Sequence, residues 1–313
     1  MTKPVQLTAL RQLDVINVHG DPDFVSAASG LVAVGDCLHV IADDELTLAT
    51  FARPQPTGHP VPGQLLRLLS GELPSQKKAR KKLKPDWEAL TLLPACSSFP
   101  HGALLALGSG SKPIRDHAAI IALDAHGRTG GDVQIHSLTS FYQQLQAHTT
   151  DLNIEAAFSR DDILHFISRG NRAHPDSMLF RCPQSAWLAW LFGVHGTVPV
   201  VTTTALALPA LNGVAASISD AVAVADGWLA ACVAEATDDS YHDGQCVGAA
   251  LARFDSAHRL TGWWPLAEPV KVEGLVVQPV DDRIEILLVN DPDDRAIPAQ
   301  LFRTVLPSAK LYP

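Results

Sequence analysis

Five side chains that offer oxygen ligands stand at the start of five similar apolar segments, roughly 60 residues apart. They are Ser29, Glu88, Glu155, Asn212 and Glu273. If the fold brings the three carboxylates within about 5 Å of one another, each pair repels by roughly 3 kcal/mol at an effective dielectric of 20. A proton, a lysine or a cation must offset that repulsion. Oxygen ligands suit a hard ion, so we predict that these residues bind Ca²⁺.

The alternative for the same five residues needs no metal. In that arrangement they hydrogen-bond neighbouring strand ends and a column of water, and one glutamate stays protonated. A single glutamate at the start of a strand is common, whereas oxygen donors at all five positions are not. The periodicity therefore favours the metal site.

Residues so far apart in sequence can meet only in a repeating fold. Each of the five begins a short run rich in Val, Leu and Ile, which a polar break separates from a second apolar run. Short strands that repeat with a period of about 60 residues are typical of a β-propeller with long blades. We predict an all-β, five-bladed β-propeller that forms one domain over 1–313, with the first strand of each blade lining the central channel. The inner strand of blade four is expected over Gly213–Val224.

The two ends of the chain complement each other. The stretch Val5–Val15 precedes the first repeat and has no partner there, while the last repeat, from Glu273 onward, lacks its outer strand. We predict that the N-terminal strand completes the last blade. Such closure removes the open edges that a linear array of sheets would expose.

Composition narrows the class of protein. The net charge of −9 argues against a general nucleic-acid binder, which needs a basic face. The N-terminus lacks the apolar run of a signal peptide, and the uncharged stretch Pro183–Ser219 is broken by Pro and Gly, so no membrane association is expected. The five cysteines show no CxxC spacing, as expected of reduced thiols in a cytoplasmic protein. We expect a monomer.

The series Ser, Glu, Glu, Asn, Glu resembles that of the calcium-activated nucleotidases, or soluble apyrases, which are five-bladed propellers with an axial Ca²⁺. The segments SGLVAVGDCLHVIADD and KVEGLVVQP are similar to strand pairs of that family. EGL-type motifs also occur in esterase-like phytases and gluconolactonase-like propellers. The resemblance implies that Ser29, Glu88, Glu155 and Glu273 are ligands. Asn212 stands where that family has a serine.

Three arginines lie at one register, six residues before an apolar position of the third strand in three repeats. They are Arg115, Arg172 and Arg295. Together with the basic segment Lys77–Lys84, they are predicted to bind an anion above the channel, because guanidinium groups pair well with phosphate and carboxylate. The alternative is that each arginine pairs with an acid of its own loop, namely Asp116, Asp176 or Asp294.

Two functions are compatible with this pattern. The first is a cation-dependent hydrolase of a small anionic substrate, a phosphoester, phosphoanhydride or lactone, at the channel mouth. Its general base would be one of four acids: Asp43, Asp44, Glu235 or Asp291. The second is a non-catalytic propeller with a structural axial ion that binds a partner or a small anion. Propellers host both kinds of function.

Overall fold

The computed structural model describes residues 3–17, 19–55, 59–171, 173–236, 244–280 and 283–307. Within them five sheets of four to six strands are arranged around a central axis, antiparallel except for one pair in the six-stranded sheet, and a two-stranded hairpin forms a sixth sheet. The prediction of an all-β, five-bladed propeller is confirmed. In chain order the strands are β1 (Thr8–Gln12), β2 (Asp14–Ile16), β3 (Pro22–Phe24), β4 (Ala28–Val34), β5 (Cys37–Ala42), β6 (Thr47–Ala52), β7 (Gly63–Arg67), β8 (Trp87–Leu93), β9 (Ala103–Gly108), β10 (His117–Leu123), β11 (Thr129–Ser137), β12 (Ile154–Arg160), β13 (Ile163–Ser168), β14 (Ser177–Pro183), β15 (Thr202–Leu206), β16 (Ala210–Leu211), β17 (Val214–Ala215), β18 (Ser217–Val224), β19 (Gly227–Ala236), β20 (Gln245–Asp255), β21 (Leu260–Pro265), β22 (Val272–Val280), β23 (Arg283–Asn290) and β24 (Gln300–Pro307).

Blades one to four run outward from the axis in chain order, and blade five ends on the N-terminal strand. Blade one is β4–β7, blade two β8–β11, blade three β12–β15, blade four β18–β21, and blade five β22–β24 with β1. The inner strands β4, β8, β12, β18 and β22 pack against one another in a closed ring, with β22 returning to β4. The ends of these strands therefore meet at the axis.

The N-terminal segment closes the ring. Strand β1 pairs antiparallel with β24, with Thr8 opposite Arg303 and Gln12 opposite Gln300, which gives the sheet order β1-β24-β23-β22. The chain then continues into blade one, where β2 runs parallel to β7 and β3 pairs with β2. The predicted closure by the N-terminal strand agrees with this pairing.

Three short helices lie between or above the blades. They are α1 (Lys77–Leu83), α2 (Thr139–Gln146) and α3 (Gln184–Leu191). Helix α2 buries Phe141, Tyr142 and Leu145 because residues spaced by three and four share one helix face. Phe141 packs on Trp187 of α3 with ring centroids 6.0 Å apart, so these helices seal the core between blades two and three. None of the helices in the described ranges has the length and apolar character needed to cross a membrane.

Removing residues 1–12 should destabilise the propeller and promote self-association. The deletion leaves the backbone groups of β24 unpaired along a sheet edge, and such edges template pairing with other chains. We expect a melting temperature lower by several degrees and a concentration-dependent shift to larger species in size-exclusion chromatography. The exposed substitution Thr8→Ala keeps the strand and serves as the control. A truncated protein that stays monomeric and equally stable would show that β1 is not needed for closure.

Candidate functional site: a ring of strand bulges at the channel mouth

Every inner strand has a register shift at the same place near its start. The residue at the shift is Ser29 in β4, Glu88 in β8, Glu155 in β12, Ser219 in β18 and Glu273 in β22. A β-bulge inserts one unpaired residue and redirects its side chain. The five inner strands thus carry Ser, Glu, Glu, Ser and Glu at equivalent positions at one end of the channel.

Blade four differs from the prediction at this position. Asn212 lies in the two-residue turn between β16 and β17, is exposed, and donates a hydrogen bond to the carbonyl of Val247. Asn212 and Gly213 have φ values of 51° and 80°, the left-handed geometry that an Asn-Gly hairpin turn adopts. The inner strand begins at Ser217, not at Gly213, and Ser219 occupies the bulge. Asn212 is therefore not a member of the ring.

The two serines have matching hydrogen bonds. Ser29 Oγ donates to the carbonyl of Trp87 at 2.5 Å, and Ser219 Oγ donates to the carbonyl of Val272 at 2.6 Å. Each acceptor directly precedes the bulged glutamate of the next blade. Both serines are buried. Since each hydroxyl proton is used in these bonds, the oxygen lone pairs remain available as ligands.

Buried and half-buried acids outnumber the bases around the ring. The acids are Asp43, Asp86, Glu88, Glu155, Glu235, Glu273 and Asp291, and the bases are Lys81, Lys84, Arg115, Arg169 and Lys271. If all were ionised, the seven carboxylates would exceed the five cations, and the exposed Asp293 pairs with Lys271 in addition. Protons or a bound cation must make up that difference, because uncompensated buried charge is costly.

The bases bridge acids of different blades. Lys271 Nζ lies 3.2 Å from Glu273, 3.0 Å from Asp291, 2.7 Å from Asp293 and 3.5 Å from Glu235. Although burial alone would lower the pKa of Lys271, these carboxylates raise it well above its ordinary value, so the ammonium stays charged.

Lys84 and Arg169 have equivalent roles elsewhere in the ring. Lys84 pairs with Asp43 and lies 2.8 Å from Asp86. Arg169 pairs with Glu235 and lies 3.3 Å from Glu155. The cations thereby link blades one with two and three with four.

Burial raises the pKa of the ring carboxyls. The pKa of Glu88 and of Glu273 lies well above the ordinary value and that of Glu155 is raised, with burial as the main cause in each. Burial also raises the pKa of Asp43 to about 7, against the opposing charge of Lys84. These carboxyls bind protons readily, and a cation that enters the ring must displace them.

A small cavity of about 30 Å³ lies within the ring. Its lining includes Glu88, Glu155 and Glu273 together with Asp43 and Asp86. Asp43, Asp86 and Glu88 each present an oxygen within 4.8 Å of the others. A cavity of this size holds about one water molecule or one small ion.

Several lining residues escaped sequence reasoning but follow a simple rule. Asp86, Asn153 and Lys271 each lie two residues before a ring glutamate, and all three line the cavity. All three precede the inner strand and the bulge breaks the period of two, so strand alternation does not place them; their signal in the sequence is the shared offset from a ring glutamate. Arg169 follows β13 and approaches the ring from the neighbouring strand, where the sequence contains no comparable signal.

Two larger cavities flank the ring on the same face. One, of about 430 Å³, lies between blades five and one and helix α1, and Asp43 and Lys84 line both it and the axial cavity. The other, of about 420 Å³, lies between blades three and four, with Arg169 and Glu235 in its wall. Either could admit a small molecule next to the ring.

The four predicted bases for catalysis are not equivalent. Asp43 faces the axial cavity, and Asp291 accepts from Lys271 on the wall of the 430 Å³ cavity. Glu235 is held by Arg169 and Lys271. Asp44 instead anchors Arg80 of α1 at 3.2 Å and Arg295 at 2.9 Å, so its role is to fasten the helix and loop.

The predicted anion-binding arginines are only partly placed as expected. Arg115 is buried, and its Nη1 lies 2.6 Å from Asp86, which makes it part of the ring cluster and not of an exposed mouth. Arg295 is 43 % exposed and pairs with Asp44, an acid of another blade. Neither forms an ion pair with its own loop acid among the described residues. Arg172 lies outside the described residues. The basic segment forms helix α1, and Arg80 is the residue of that helix whose side chain is buried.

Replacing Lys271 by methionine should cost about 3–5 kcal/mol of unfolding free energy at pH 7.5, because four carboxylates lose their shared cation. This loss of unfolding free energy should become smaller towards pH 5, because carboxyls whose pKa is raised in the folded state, such as Asp293 at about 6, bind protons there. Proton binding by the folded state increases stability as the pH falls through that value.

The matched control for this substitution is Arg259→Met. Arg259 pairs with Asp255 at 2.7 Å but is 79 % exposed, and surface pairs contribute less than about 1 kcal/mol. Urea unfolding at several pH values measures both variants. An equal, pH-independent loss of unfolding free energy in the two variants would show that Lys271 does not neutralise the ring carboxylates.

The chain has distant structural neighbours and one matching family. It is similar to a luciferin-regenerating enzyme (11% identity, 96% of this chain and 95% of that chain covered, TM-score 0.43). It is also similar to the Bacillus subtilis arabinanase Arb43A (9% identity, 92% and 97% covered, TM-score 0.41) and to an ancestral GH74 enzyme (9% identity, 96% and 51% covered, TM-score 0.38). No curated protein matches the chain. The model of a family of unknown function, DUF6929, matches residues 24–306, and the chain belongs to that family.

Proposed function

We propose that the protein is a cation-dependent hydrolase that acts on a small anionic substrate beside the ring of bulges. The observation that carries the proposal is the set Ser, Glu, Glu, Ser, Glu at five equivalent bulges, whose three glutamates line a cavity of about 30 Å³. The resemblance to calcium-activated nucleotidases is also better with Ser219 than with Asn212, because that family has a serine at this place.

The residues of the ring fit a hard divalent cation. Carboxylate and hydroxyl oxygens are the ligands that Ca²⁺ prefers, and the excess of acids over bases provides the negative charge. The ligands would be Ser29, Glu88, Glu155, Ser219 and Glu273. When bound, such an ion polarises a substrate oxygen or acidifies a water molecule.

Asp43 is the best candidate for the general base. It lies where the axial cavity meets the 430 Å³ cavity, so a substrate in the larger space could contact both Asp43 and the ring. Its pKa of about 7 is the value at which a carboxylate is an effective base near neutral pH. Lys84 holds the carboxylate in place.

The basic residues of the 430 Å³ cavity support an anionic substrate. Lys77, Lys81 and Arg295 line this cavity together with Asp43 and Asp291. A phosphoester, phosphoanhydride or lactone carries a polar or charged group for the basic side chains and an electrophilic centre for attack assisted by a carboxylate.

A second function remains a candidate: a non-catalytic propeller in which the ion is structural. Lys84 and Lys271 favour it, since each already neutralises two or more carboxylates without any metal. In that case, the face above the ring would bind a partner or small anion and no chemistry would follow. Activity with and without the cation distinguishes the two functions.

Ca²⁺ should stabilise EDTA-treated protein, by about 2.7 kcal/mol at a concentration of 100 Kd, because preferential binding to the folded state raises stability. Metal analysis and thermal unfolding measure the effect. Ser219→Ala should reduce it, whereas Asn212→Ala in the exposed turn should not. A protein without bound metal and with no response to Ca²⁺ would contradict the predicted metal site. Equal effects of Ser219→Ala and Asn212→Ala would contradict the assignment of Ser219 as a ligand.

Hydrolysis should be detected in a screen of phosphoesters, phosphoanhydrides and lactones, and EDTA should abolish it. Asp43→Asn should lower kcat by about 10²–10⁴-fold if Asp43 is the base. Asp36→Asn, at the exposed turn between β4 and β5, is the control and should keep full activity. A protein that binds Ca²⁺ but hydrolyses none of these compounds would support the structural ion instead.

A further inference from the structure

The far end of the central channel forms a second cavity with a different character. Its volume is about 460 Å³, and all five inner strands contribute to its wall. Most of the lining is apolar and includes Leu31, Leu90, Phe158, Val222 and Val276. None of the buried ion pairs around the ring bulges extends into this lining. The channel is therefore charged at one end and mostly apolar at the other.

Four charged side chains also line this cavity: Arg53, Arg160, Asp161 and Asp162. Arg53 follows β6 and is half-buried, whereas Asp161 and Asp162 are exposed. Its Nη1 donates to Oε1 of Gln278, whose own amide donates to Glu285. Glu285 in turn pairs with Arg303.

The charge of Arg53 is not matched by an acid. Within the described ranges, no carboxylate lies within 4.0 Å of its guanidinium, and its Nε is buried without a hydrogen-bond partner. The other arginine of the lining, Arg160, lies 3.3 Å from Asp161. A half-buried donor without an acceptor is costly, so an anionic group at Arg53 would lower the free energy of the folded protein.

We propose that this end of the channel binds an apolar monocarboxylate, with its hydrocarbon part in the bore and its carboxylate on Arg53. Small-molecule sites are mostly apolar cavities of about 300–1,000 Å³ with a few polar groups that fix orientation. One guanidinium matches one carboxylate, and it can bind both oxygens. The mostly apolar wall, which also carries Asp161 and Asp162, disfavours a polyanion, which would leave charges without partners. The site is independent of the proposed hydrolase activity.

Calorimetric titration with decanoate, below its critical micelle concentration, tests the proposal. Wild-type protein should bind decanoate more tightly than decanol. Arg53→Met should weaken decanoate binding by at least about tenfold, the loss expected for a charged hydrogen bond, and should change decanol binding by less than about twofold. Arg259→Met removes the same charge from an exposed side chain on blade four and should leave both affinities unchanged.

Filling the bore gives a second, independent readout. Ala223→Phe and Ala33→Phe place a large side chain in the cavity from blades four and one, and each should abolish binding of both ligands. Thermal unfolding identifies which of the two variants is folded, and a folded variant is then titrated. Absence of decanoate binding by wild type, or binding that survives in a folded filled variant, would overturn the proposal. Equal decanoate affinity in wild type and Arg53→Met would also overturn it.

Discussion

The close approach of five strands at one axis is the constraint on which the rest of the structure depends. In blades one and five the residue after the bulge is a glycine that faces the inner strand of the next blade. A Cβ on Gly30 would lie 2.9 Å from Leu90 Cβ, and one on Gly274 would lie 2.9 Å from the backbone nitrogen of Leu31. Only very small side chains fit such positions, which explains why alanine or glycine follows four of the five bulges.

Blade four satisfies the same constraint in another way. Its residue after the bulge is Asp220, whose carboxylate accepts hydrogen bonds from the backbone of Ala221 and of Leu275 in the next inner strand. Burial raises the pKa of Asp220 well above its ordinary value, and these two hydrogen bonds oppose that shift. Here a polar side chain bridges the strands where glycine or alanine allows direct contact elsewhere. The feature that repeats around the axis is thus the contact between neighbouring inner strands, and the type of residue that makes it differs in blade four.

Crowding at the axis also explains the charge pattern. Bulges direct carboxylates into a space from which water is largely excluded, so each negative charge must be neutralised nearby. Lys84, Arg169 and Lys271 do this between neighbouring blades and thereby tie the blades together at the axis. At the far end the inner strands are paired without a bulge and most of the side chains that line the channel are apolar. One ring of strands therefore creates two chemically opposite sites.

The sequence alone determined the repeat, the number of blades and four of the ring residues, because each depends on local pattern: alternating apolar runs, turn residues and a polar residue before a small one. The pattern wrongly assigned Asn212 to the ring, because Asn-Gly, like Ser-Gly and Glu-Ala, is a polar residue followed by a small one. Asn-Gly differs from them in that it prefers the positive φ values of a hairpin turn. Tertiary structure alone decided which acids and bases meet. Arg115 pairs with Asp86 of its own blade and Arg295 with Asp44 of the next blade, and neither pairs with the acid of its own loop. Ion pairs depend on distance in space, which the order of residues along the chain does not encode.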